Sequence, residues 1–144
     1  MASVIDAAKY ILEKTGEITA MKLQKLTYYS QAWALVWDEE ELFPEDFEAW
    51  ANGPVNKCLY ARHRGLFKVD QSIFSDGDTS KLSENQQDTI DKVLDFYGDK
   101  TAQWLSNLTH KEAPWLEARG ESKPMASCST AITKASMAEY YSSL

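Results

Sequence analysis

Between Lys22 and Asp38 the apolar positions do not keep to one face. Placed on a helix at about 100° per residue, Leu23, Leu26, Ser30, Trp33, Ala34 and Trp37 fall on one side, and Tyr28, Tyr29, Ala32, Leu35 and Val36 cover most of the other. Gln24, Thr27, Gln31 and Asp38 form a thin polar stripe, with Lys25 at its margin. A helix on the surface of a domain needs a broad wet face, so this segment predicts a central helix surrounded by other elements. Leu23, Leu26, Tyr29, Trp33 and Trp37 are its expected core contacts.

The flanking segments supply the surroundings. Ser3 predicts the cap of a first helix running to about Lys14, with Gly16 as its stop, and Thr19 caps the central helix. Leu42 to Trp50 alternates apolar and polar residues around Pro44 and predicts a small hairpin. Asn52-Gly53 supplies a tight turn. Pro54 fits a first helical position, where its missing N–H leaves nothing unpaired, and predicts a third helix to about His63. Leu66 to Phe74 reads as a further short strand, and Ser75 to Lys81 as a polar loop. Ser83 with Gln86 forms a capping-box pattern for a helix stopped by Gly98. Thr101 to Leu108 follows, with Trp104 and Leu105 facing inward. Thr109 to Glu112 reads as a second capping box leading into Pro114-Trp115, and Thr133 caps a final helix ending at Tyr141. The fold class expected is mainly α: a compact helical bundle around a buried central helix, with a small β-hairpin, and residues 1–144 forming one domain. Trp104 and Trp115 join the expected core.

The 5 Trp, 7 Tyr and 5 Phe supply enough apolar area for such a core without a metal or disulfide staple. Cys58 and Cys128 lack a second Cys or a His at metal-ligand spacing and read as reduced, partly buried thiols. The first fifteen residues interrupt their apolar positions with Asp6, Lys9, Glu13 and Lys14, unlike a signal peptide or a membrane span, so a cytoplasmic protein is expected. A net charge of -7 repels phosphate backbones and favours a cationic partner over nucleic acid.

Chemistry is sparse. His63 and His110 are the two histidines, and neither stands in a nucleophile or zinc context; there is no GxGxxG and no P-loop. No catalytic residue, cofactor or metal is expected. Seven acids and no Lys or Arg lie between Asp38 and Glu48, and Arg62, His63, Arg64 and Lys68 follow. These are either solvated surfaces, salt-bridged to one another, or an acidic docking face for a basic partner in which Glu40 and Glu41 take part. Trp50, Asn52, Gly53, Pro54 and Val55 have a structural explanation as core plug, turn and helix start. They also fit a rigid, exposed corner of the kind partners use.

Lys22-Leu23-Gln24-Lys25-Leu26 and the Trp50-Ala51-Asn52-Gly53-Pro54-Val55 joint resemble the Panacea-domain family of SocA-like or GepA-like phage-associated proteins. Thr101 to Ser106, Thr109 to Trp115 and the closing Ile132 to Tyr141 segment fit in matching order. The resemblance implies a mainly helical domain serving as the antitoxin of a bacterial or prophage toxin–antitoxin pair, with no catalytic residue. It further implies neutralisation of a cognate toxin, encoded by an adjacent gene, through direct binding, or delivery of that toxin to the ClpXP protease. Nothing particular matches between Asp70 and Ser83. The partner surface expected is Lys25 with the polar stripe, Glu40 and Glu41, and the Trp50 to Val55 joint. An alternative of another class is a hydrolase or nucleic-acid-binding regulator of a mobile element, resting on His110, Glu112 and the Arg62–Arg64 cluster.

Overall fold

The computed structural model describes residues 1–123 and 125–144. Its elements in chain order are α1 (Val4–Thr15), β1 (Ile18–Thr19), α2 (Ala20–Trp37), β2 (Phe47–Trp50), β3 (Gly53–Asn56), α3 (Lys57–His63), β4 (Lys68–Val69), α4 (Glu84–Tyr97), α5 (Ala102–Thr109), α6 (Ala113–Arg119), β5 (Ala131–Ile132) and α7 (Lys134–Ser142). The fold is mainly α. Helix starts follow local chemistry: Ser3, Thr19, Ser83, Thr101 and Thr133 each accept a hydrogen bond from the first turn of the helix they precede, and Ser3 and Ser83 complete capping boxes with Asp6 and Gln86.

α2 is the central post, packed against α1, α4, α5, α7 and β3. Leu23, Leu26 and Tyr29 are fully buried, Trp115 is buried and Trp33 is half-buried. Two expected core residues are not buried: Trp37 is 47% exposed and Trp104 is 41% exposed. Trp37 sits at the last residue of α2, with one ring face stacked on Trp33 and Lys92 over it. Trp104 lies one residue before the buried Leu105, which takes the inward position on α5.

Gln24, Thr27 and Gln31 of the polar stripe are buried as well, and Asp38, the C-cap of α2, is half-buried. Gln31 donates to the Phe43 carbonyl at 2.7 Å and accepts from the Leu42 N–H at 2.6 Å, which pins the loop after the helix. Thr27 and Ser30 bond back to the Leu23 and Leu26 carbonyls. Each such group would cost about 1 to 3 kcal/mol if left unpaired in the interior, so the stripe exists to satisfy backbone, not to meet water.

The hairpin lies one step later than the sequence pattern predicts. β2 pairs antiparallel with β3, Trp50 opposite Gly53, and Pro44 stands outside it. β5 completes a sheet of order β3-β2-β5 through Phe47 opposite Ile132. β1 and β4 form a separate two-stranded pair, after which Gln71–Phe74 and Thr79–Lys81 are short 3₁₀ turns. Pro54 is therefore a strand residue, and the cap of α3 is Asn56, whose side-chain oxygen accepts from Cys58 and Leu59 N–H groups. Cys58 is exposed and Cys128 half-buried.

The second capping box is absent. Glu112 precedes α6 but makes no side-chain cap; its carboxylate turns inward and accepts from the Tyr29 and Tyr141 hydroxyls, each at 2.7 Å. Burial pushes its pKa up, against the pull of those two hydrogen bonds. His110 closes α5 rather than opening a helix.

Candidate functional site

α2 delivers Gln24 and Lys25 side by side against the hairpin, and the fold treats them in opposite ways. The Gln24 side-chain oxygen accepts from the Asn56 N–H at 2.8 Å, and its amide donates to the Asn56 carbonyl at 3.1 Å. The orientation of the amide is thereby fixed, so its remaining N–H points at His63 Nε2, 2.9 Å away, and that nitrogen must accept. His63 is neutral in this arrangement. Burial, and then the Lys25 charge, hold its pKa below the ordinary imidazole value.

Lys25 is 1% exposed. Among the described residues its ammonium finds one acceptor, the Pro54 carbonyl at a long 3.4 Å, and no carboxylate lies within ion-pair distance of it. Burial pushes its pKa down to about 7. Uncompensated burial of an ammonium is worth several kcal/mol even after relaxation, far more than one long hydrogen bond returns. A side chain held at that expense, with a pKa near neutrality, is a functional-site candidate on physical grounds.

The hairpin turn is shaped around this lysine. Gly53 has φ +117°, and a Cβ there would meet Lys25 Cε at 2.5 Å and Thr109 Oγ1 at 2.9 Å. Only glycine combines that backbone with that proximity. The hairpin is also bonded to the helices behind it: Ser106 donates to the Asn52 carbonyl at 2.7 Å, the Trp115 indole to the Trp50 carbonyl at 2.8 Å, and the Arg119 guanidinium to the Ala49 carbonyl at 2.9 Å. His110 stacks on Trp115 at 4.2 Å between ring centroids. Its Nε2 is a buried polar atom with no partner among the described residues. Burial, followed by the Lys25 charge, lowers its pKa too.

In front of this assembly opens a cleft of about 920 Å³. Its buried lining includes Gln24, Lys25 and His63; the hairpin contributes Trp50, Asn52 and Val55; the segment after α3 contributes Leu66 and Phe67; and the stretch before β5 contributes Met125 and Cys128. Met21, Leu66, Phe67 and Met125 are exposed, Phe67 at 77%. A volume of this size takes a drug-sized molecule or several peptide side chains.

The expected partner residues separate. Lys25, Trp50, Asn52 and Val55 line the cleft, whereas Glu40 and Glu41 do not. Asn52 is exposed and Trp50 half-buried, but Gly53, Pro54 and Val55 are buried, so the joint is not an exposed corner throughout. The Trp50 indole donates to Glu48 at 2.9 Å and its ring meets Tyr60 edge-on. Much of the acidic run has structural work: Asp38 accepts from Thr89, Glu45 from the Val4 N–H at the start of α1, and Glu41 and Asp46 pair with Lys134. The basic cluster is not its partner. Arg62 makes a two-pronged pair with Asp76, holding that carboxyl down to about 2. Sequence reasoning missed His63, Tyr60, Phe67 and Met125; the exposed Leu66-Phe67 pair beyond Gly65 was the available signal.

His110, Glu112 and the Arg62–Arg64 cluster have separate surroundings: His110 on Trp115, Glu112 between two tyrosines, Arg62 against Asp76. Among the described residues no three His, Cys, Asp or Glu side chains gather as a metal site, and no helix is long and apolar enough to cross a membrane.

Residues 23–116, from the buried post through the hairpin to α6, match the family model described as antitoxin SocA-like, Panacea domain. No curated protein and no solved structure matches the chain. The family match takes in Lys25, the Trp50 to Val55 joint and the His110–Trp115 stack, and covers well over half of the sequence: the chain belongs to the SocA-like Panacea antitoxin family.

Proposed function

We propose that this protein neutralises a cognate toxin by binding it directly, and that the cleft beside the N-terminal half of α2 is the contact surface. The observation that carries the reading is the cleft itself: an opening of about 920 Å³ rimmed by exposed apolar side chains, built on a hairpin tied to three helices. Exposed apolar groups around a preformed concavity are what a partner desolvates for affinity, and a rigid frame keeps the ordering cost of binding low. The family supplies the class of partner.

The test is co-expression with the product of the adjacent gene. Growth rescue and a co-purifying complex are expected, and Phe67→Ser at the cleft rim should weaken both without lowering the melting temperature. Rescue that needs ClpXP would move the reading to the proteolytic adaptor; rescue that survives Phe67→Ser at full strength would place the contact elsewhere.

A further inference from the structure

The protein carries a net charge of -7, yet its cleft is locally cationic. Lys25 is part of its buried lining and Lys57 and Arg64 of its exposed lining, against a single lining carboxylate, Glu48, which already accepts from the Trp50 indole. Lys25 has no carboxylate partner among the described residues and one long hydrogen bond. The lining also carries the apolar Val55, Phe67 and Met125 and the Tyr60 ring. We propose that the cleft recognises a segment of the toxin that carries both acidic and apolar side chains, with one Asp or Glu carboxylate seated on the Lys25 ammonium.

This rests on the toxin-binding reading and specifies what that site accepts. Cations at separate depths fit side-chain carboxylates spread along a segment better than the single carboxylate of a chain terminus. The geometry also explains why Lys25 is retained. A buried cation without a counter-charge destabilises the free protein, whereas a carboxylate arriving from the partner completes the pair. Truncating one member of such a pair leaves the other buried and uncompensated, so the penalty falls on the complex. Complex formation must also draw a proton onto Lys25, whose pKa in the free protein is about 7. The other titratable and charged groups around it are His63 on α3 and His110 at the end of α5, which both feel its charge, Arg119 on α6, which acts on His110, and Glu48, Lys57, Tyr60, Arg64 and Cys128 in the cleft lining.

The experiment is isothermal titration calorimetry of the full chain with the purified product of the adjacent gene, in an inactive form, at pH 8 in two buffers of different ionisation enthalpy. Wild type is expected to bind with proton uptake. Lys25→Met should weaken binding about tenfold or more and abolish the uptake, while Lys22→Met, which removes the same charge from a side chain bonded to the Gly98 carbonyl outside the cleft, leaves both unchanged. Lys57→Glu, at an exposed position, should weaken binding by like-charge repulsion whatever becomes of the Lys25 variant's folding. Changing the contacting acid of the toxin to its amide should reproduce the Lys25→Met loss. No binding by wild type overturns the toxin-binding reading and this site with it. Binding that ignores Lys25→Met and Lys57→Glu overturns this site alone. Loss of binding on extending the toxin's C-terminus by two residues, with its acidic side chains indifferent, would make the occupant a terminal carboxylate and overturn the acidic segment.

Discussion

Two charged regions of this molecule invite comparison: the acidic run from Asp38 to Glu48 and the single lysine under the hairpin. The run is conspicuous in the sequence, and most of it is employed by the fold, capping α1, pairing with Lys134 or bonding neighbouring side chains. Lys25 is inconspicuous in the sequence, and the fold leaves it nearly unserved. Exposed ion pairs are worth about 0 to 1 kcal/mol, and a buried unpaired ammonium carries a penalty of several kcal/mol. The lesson is that charge density marks a surface, whereas charge held against its own desolvation marks a site.

The sharpest way to break the comparison is at the turn that covers the lysine. Gly53→Val forces a β-branched residue to φ +117° and into Lys25 Cε, and should destabilise the domain by about 2 to 4 kcal/mol in chemical denaturation. A loss under about 1 kcal/mol would show that the hairpin relaxes away from Lys25. Next is Lys25→Met, which keeps the stem and removes the charge. The folded-state pKa of about 7 lies below the ordinary value of 10.5, so the unfolded chain binds more protons between those values. Wild-type stability should therefore be lowest below pH 7 and rise towards pH 10.5. The variant should be more stable than wild type at pH 6, with a flatter profile across that window in denaturation midpoints.

Changes in the acidic run should do less. Asp46→Ala removes one of the carboxylates on Lys134 and should cost less than about 1 kcal/mol, with the loss shrinking further in high salt. Glu40→Lys is the smallest: stability should stay within about 0.5 kcal/mol, and toxin affinity should be unchanged because Glu40 is exposed and does not line the cleft. A markedly slower association for that variant would restore the acidic run as a docking face for a basic partner.

The parts of the fold visible in the sequence are those set within one helical turn. Ser3, Thr19, Ser83, Thr101 and Thr133 announce their helices because a cap bonds to residues two or three places on. The hairpin was displaced because its position depends on partners far along the chain: Ile132 pairs with Phe47, and Gln24 holds Asn56. Pro54 fits a helix start in isolation, but Asn56 is the better cap and wins. Trp37 and Trp104 share a difficulty of another kind, since a helical wheel gives direction and not where the neighbouring elements end. For the site, Lys25, Trp50, Asn52 and Val55 are legible through their motif. The cleft they share is not, because Phe67 and Met125 in its lining are separated by more than fifty residues and come together only in three dimensions.

The measurement that bears most directly on Lys25 as the functional charge is an NMR titration of its side chain, with 13C-labelled lysine, free and in complex with the toxin. The expected result is a midpoint at about 7 in the free protein and one well above it in the complex, with Lys25→Met identifying the resonance. A free-protein midpoint near 10.5, or one unmoved by the toxin, would contradict it.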